Sequence, residues 1–164
     1  MIALRTIATL ILGVVLVACA IAAPQPTAAP DYSDIVITLE RTACFGTCPI
    51  YTLTVYGDGR VEYEGEMFVA VEGQQSATIS AEQVQALVTA LEQADYLSLS
   101  DDYSAPATDL PSTITSVTLG GKTKTINHYG YCEADFDVAP KELCDFEQKI
   151  DEVTNSAQWV GTRP

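Results

Sequence analysis

Positive charge is scarce in this chain of 164 residues: eight Lys and Arg stand against 22 Asp and Glu, a net charge of −14. A surface so acidic disfavours nucleic acid and anionic lipid headgroups as partners. It suits cations, basic peptides or simple solubility outside a cell, and solubility is the plainest of these. Histidine is scarcer still. His128 is the only one, it sits in the alternating stretch TKTINHYG, and no nucleophile motif accompanies it, so a Ser-His-Asp hydrolase has little support. No catalytic constellation stands out elsewhere, and the chain is expected to be non-enzymatic and without a cofactor. The most apolar run, Ile7–Val17, is too short to span a bilayer comfortably. No internal repeat is strong enough to indicate duplication.

What is present begins with that run. Arg5 precedes it and Leu16-Val17-Ala18-Cys19 closes it, giving a charged start, an apolar core and small residues before a cut. Leu-Val-Ala-Cys resembles the lipobox of bacterial lipoproteins, in which the cysteine becomes the new N-terminus and carries fatty acyl chains such as palmitate. Residues 1–18 are then a signal peptide and Cys19 the lipidation site. More than one acyl chain gives stable membrane anchoring. Residues 19–33, rich in Ala and Pro without a hydrophobic period, read as an extended tether. The expected location is extracytoplasmic, on the cell membrane or the outer membrane. Ala20 directly after the cysteine favours the outer one in a two-membrane bacterium.

Residues 34–164 remain, enough for a single core. The mature chain keeps seven basic against 22 acidic residues, a net charge of −15. Ile35, Ile37 and Leu39 alternate with polar neighbours, as do the residues of Tyr51–Tyr56. Gly57-Asp58-Gly59 turns the chain, and Arg60–Glu64 returns with Val61 and Tyr63 on one side, a hairpin with a wet outer face. A further strand is expected around Ala77–Ile79. Ser80 and Gln83 form a capping box for a helix whose Val84, Leu87, Val88 and Leu91 share a face. Ile114–Leu119, Gly120-Gly121 and Lys122–Tyr129 make a second hairpin. Pro140 suits the start of a closing helix striped by Leu143, Phe146, Ile150 and Val153, with Trp159 packed near its end. Strands then helix, twice over, predicts an α+β domain: an antiparallel sheet of hairpins with two helices packed on one face.

The segments LERTACFGTCPIYTLTVYGDGRVEYEG, TDLPSTITSVTLGGKTKTINHYG, APKEL and NSAQWVG together resemble an uncharacterised bacterial family, domain of unknown function 6438. The likeness runs from Ile35 to Gly161 and is most specific at Cys-Phe-Gly-x-Cys-Pro. It implies an exported or lipid-anchored envelope domain, and it transfers no activity and no catalytic residue.

With Cys19 assigned to lipid, Cys44, Cys48, Cys132 and Cys144 remain. An even number in an oxidising compartment reads first as two disulfides, with three pairings open. Proximity favours Cys44–Cys48 and Cys132–Cys144, which loop-closure entropy makes worth about 2 and about 3 kcal/mol. A second possibility is thiol-disulfide exchange or copper(I) handling by Cys44, Cys48 and His128, since Cys-x-x-x-Cys-Pro with a distant histidine is similar to the copper-delivering assembly factors of cytochrome oxidase. In those proteins the motif leads into a helix, whereas here it leads into a strand, and the helix end that lowers a thiol pKa is missing. Zinc binding by the four cysteines and His128 is disfavoured by spacing. Two acidic groups, Glu133/Asp135/Asp137 and Asp101/Asp102/Asp109, are weak calcium candidates; Val138 stands where an EF-hand loop needs glycine. The tyrosines would recognise a peptide or sugar only if several shared one open face. The expected partners are thus the membrane, through the anchor, and another envelope protein or peptide.

Overall fold

The computed structural model describes residues 32–161 other than 133, so the signal peptide, Cys19 and nearly all of the tether lie outside the described residues. Alternating side chains build the core. β1 (Val36–Arg41), β2 (Ile50–Tyr56) and β3 (Arg60–Met67) bury every second residue, among them Ile37, Leu39, Leu53, Val55, Val61 and Tyr63. β4 (Gly73–Thr78) is a mostly exposed edge strand. Its polar Gln74 and Gln75 hide it from a hydrophobic pattern, which explains why only its end is visible in the sequence.

The capping box forms as expected. The Gln83 amide donates to the Ser80 hydroxyl, and the Gln83 side chain accepts from the Ser80 amide, opening α1 (Ala81–Gln93). Val84, Leu87, Val88 and Leu91 are buried on its inner face. A 3-10 turn, Tyr96–Ser98, leads to β5 (Asp102–Ser104). The second hairpin follows as β6 (Ser112–Leu119) and β7 (Lys122–Tyr129), then α2 (Lys141–Thr154) and the short α3 (Ala157–Val160). Pro140 sits just before α2, as its N-cap, and Asn155 ends the helix in the left-handed conformation.

The sheet has seven strands in the order β4-β3-β2-β1-β6-β7-β5. The fold is α+β as expected, but the sheet is mixed. β5 lies parallel to β7, pairing Asp102 with Asn127, Tyr103 with His128 and Ser104 with Tyr129. A strand of three residues, Asp102-Tyr103-Ser104, is too short to carry a readable alternation. One sheet face joins the inner faces of α1 and α2 in a single core, and Trp159 stacks on Tyr63 at 4.9 Å between ring centroids. No helix among the described residues is long and apolar enough to cross a membrane.

Candidate functional site

Alternation along β7 sends His128 to the same buried face as Ile126. Helical spacing on α2 carries Leu143, Cys144, Phe146, Glu147 and Ile150 toward that face. Glu147 is fully buried and His128 is 1% exposed. The two meet: His128 Nδ1 lies 3.2 and 3.1 Å from the two carboxylate oxygens of Glu147. The loop from Gly130 to Pro140 folds back so that Asp137 closes the other side, its Oδ1 3.0 Å from His128 Nε2. The Ala139 amide donates to the same Asp137 oxygen at 3.1 Å and holds it in place.

A protonated imidazole can donate to both carboxylates at once. Burial works against the charged ring, but hydrogen bonds and charge from Glu147, with charge and a hydrogen bond from Asp137, outweigh it and raise the His128 pKa above its ordinary value. Burial also raises the Glu147 pKa, more than His128 and Arg41 lower it.

The four cysteines form two disulfides in the pairing that proximity favoured, Cys44–Cys48 and Cys132–Cys144, with Cα separations of 5.7 and 5.5 Å. The second abuts the histidine cluster: Cys132 Sγ lies 3.4 Å from Glu147 Oε2 and 3.9 Å from His128 Nδ1, and Cys144 Sγ lies 3.6 Å from Asp137 Oδ2. Both disulfides border one pocket of about 560 Å³, lined among others by Cys44, Phe45, Cys48, His128, Tyr131 and Cys132. Arg41 lines it too, donating to Thr113 and, at 2.8 Å, to Asp151. No carboxylate is among the described lining residues, a notable local composition in so acidic a chain. Phe45, on the loop closed by Cys44 and Cys48, is 89% exposed.

The other residues singled out in the sequence are scattered. Asp101 pairs with Lys124, and Asp102 accepts from Ser104 and Asn127. Asp109 turns the chain at φ 66°, its carbonyl accepting from the Phe45 amide at 3.1 Å. Glu133 lies outside the described residues, and Asp137 points to His128 rather than along an acidic loop. Of the tyrosines, Tyr51, Tyr63 and Tyr96 are buried, Tyr56 stacks with Arg60 on the outer face, and Tyr131 is exposed at the pocket. His128, set in an alternating stretch with no nucleophile motif, is fully buried and doubly hydrogen-bonded. Glu147 escaped sequence reasoning altogether. Its signal is a charge lying one residue from Phe146 and three from Ile150, inside the apolar stripe of α2.

A family model described as "Domain of unknown function (DUF6438)" matches residues 35–154. No curated protein matches the chain.

Proposed function

The chain belongs to this family of unknown function, and from that premise we propose that it is a lipid-anchored, extracytoplasmic binding domain of a bacterial envelope. Cys19 is the anchor, residues 19–33 are the tether, and the pocket between the two disulfides receives a peptide segment of another envelope component. Support for the anchor is the Leu16–Cys19 motif after an apolar run. The observation that carries the binding role is Phe45. An aromatic ring 89% exposed on a disulfide-closed loop, beside a pocket lined by Tyr131 and with no carboxylate among its described lining residues, is an apolar contact point on a polar molecule.

A photo-cross-linking amino acid placed at position 45 in cells that make the protein tests this. A discrete adduct is expected at position 45 and absent at position 97, where Leu97 is 62% exposed on the 3-10 turn. Equal labelling at both positions, or none, overturns the pocket's role. Anchoring is tested apart from it: Cys19→Ser should move the protein from the membrane to the soluble fraction, and continued sedimentation with membranes would refute the lipid anchor.

A second reading, thiol-disulfide exchange or copper(I) handling by Cys44, Cys48 and His128, is favoured by one observation: all three line the same pocket. In a glutathione redox titration a labile Cys44–Cys48 bond opens near roughly −180 to −230 mV, whereas a structural one stays closed below about −300 mV.

A further inference from the structure

The structure brings together a donor set that differs from the one the sequence suggested. His128, Cys132, Asp137 and Cys144 each offer one ligand atom, and these atoms all lie within 4.8 Å of one another. We propose that, when the Cys132–Cys144 disulfide is reduced to a dithiol, these four side chains hold one zinc(II)-class divalent metal ion.

The chemistry of the set carries the inference. One imidazole nitrogen, two sulfurs and one carboxylate oxygen are the donors that tetrahedral zinc accepts, with bonds of about 2.0–2.3 Å. Ligand atoms in such a tetrahedron stand roughly 3.3–3.8 Å apart, so small side-chain shifts convert the cluster into a site. The donors come from β7, from the loop after it and from α2, and the Ala139 amide holds Asp137 Oδ1 toward the ring. Glu147 stands outside the donor set with both oxygens on His128 Nδ1, the orienting carboxylate that metal-bound histidines commonly have. His128 and Cys132 border the pocket, which supplies a path for the ion.

The charge argument points the same way. The disulfide form packs a histidine between two carboxylates. Reduction adds two ionisable thiols to that small buried space, and a divalent cation compensates the thiolates and the Asp137 carboxylate together. Two thiols of a dithiol reductant donate two electrons and two protons to the disulfide, forming two cysteine thiols and the reductant's own disulfide. Metal binding then displaces the two thiol protons to solvent. A disulfide and a metal ion are therefore alternative cross-links between the same two cysteines, and both join the β7–α2 loop to α2. This inference stands apart from the peptide-binding role of the pocket.

The test uses the full chain carrying Cys19→Ser, so that the lipidation cysteine does not compete, reduced under anaerobic conditions and titrated with cobalt(II). The expected result is one equivalent bound, with sulfur-to-cobalt charge-transfer absorption that zinc(II) abolishes by displacement. Without reductant, binding is absent. Cys132→Ser and Cys144→Ser each remove the charge-transfer band or weaken binding by at least about tenfold, and Glu147→Gln weakens it roughly 10–100-fold. Cys44→Ser with Cys48→Ser leaves it intact. Asp137→Asn, which leaves both sulfurs in place, also weakens binding and serves should a cysteine variant misfold, as far-ultraviolet circular dichroism would reveal. Absence of a thiolate–cobalt band in the reduced chain overturns the proposal. So does a band that survives Cys132→Ser and Cys144→Ser but disappears with Cys44 and Cys48.

Discussion

His128 of β7 and Glu147 of α2 face each other across the sheet–helix interface, Nδ1 3.1 and 3.2 Å from the two carboxylate oxygens, with 1% and 0% of each residue exposed. Charged or proton-sharing groups this deeply buried depend on each other, because removing one leaves the other desolvated and unpaired. Glu147→Ala in the oxidised chain is expected to cost about 3–5 kcal/mol, read from urea unfolding. Joint replacement of His128 and Glu147 by apolar residues should cost less than Glu147→Ala alone. A loss in the double variant equal to the sum of the two single-variant losses would mean that the pair is not energetically coupled.

The two disulfides should contribute unequally. Their sequence separations are 4 and 12, so loop-closure entropy assigns about 2 kcal/mol to Cys44–Cys48 and about 3 kcal/mol to Cys132–Cys144. Pairwise Ser replacement followed by chemical denaturation measures both.

Tyr96 supplies an alkaline limit to stability. Burial pushes its phenol up to about 12, although its hydrogen bonds with Thr115 act in the opposite direction. Between about pH 10 and that value the folded chain keeps a proton that the unfolded chain has lost. Stability from this group is therefore complete below about pH 10 and declines as pH rises toward 12. Tyr96→Phe should flatten that part of the stability–pH curve, followed by denaturation at fixed temperature. An unchanged slope would assign the loss to other groups, of which Tyr51, also raised by burial and by Asp151, is the first to examine.

Gly57 shows how closely the β2–β3 turn is packed. A Cβ there would stand 1.8 Å from the Tyr32 carbonyl oxygen, a backbone atom with little freedom to yield. Gly57→Ala is expected to lose about 1–3 kcal/mol in thermal or urea unfolding. A neutral result would mean that the segment before β1 moves aside without cost.

Asp151 joins three parts of the fold by accepting from Arg41 at 2.8 Å, from Tyr51 at 2.7 Å and from Ser156 at 2.6 Å. Asp151→Ala should therefore destabilise the chain more than Asp145→Ala, whose exposed i,i+4 pair with Lys141 is worth only about 0.3–0.5 kcal/mol. Comparison of the two variants in urea checks this.

Local chemistry makes much of this molecule legible in its sequence. The period of two places Leu39, Leu53 and Val61 on one sheet face, the period of 3.6 places Val84, Leu87 and Leu91 on one helix face, and Ser80 with Gln83 starts that helix. These features follow from neighbours a few residues apart, which composition and spacing encode directly. Even His128's inward direction follows from its alternation with Ile126. What His128 meets there does not. Glu147 is 19 residues away and Asp137 nine, and only the crossing of α2 over β7 and the return of the intervening loop bring both carboxylates to one ring. The same holds for the cysteines, whose count allows three pairings until packing selects one, and for β5, whose parallel pairing to β7 no local pattern announces. Periodicity decides which way a side chain points; the packing of distant elements decides what it touches, and the chemistry of this site lies in those contacts.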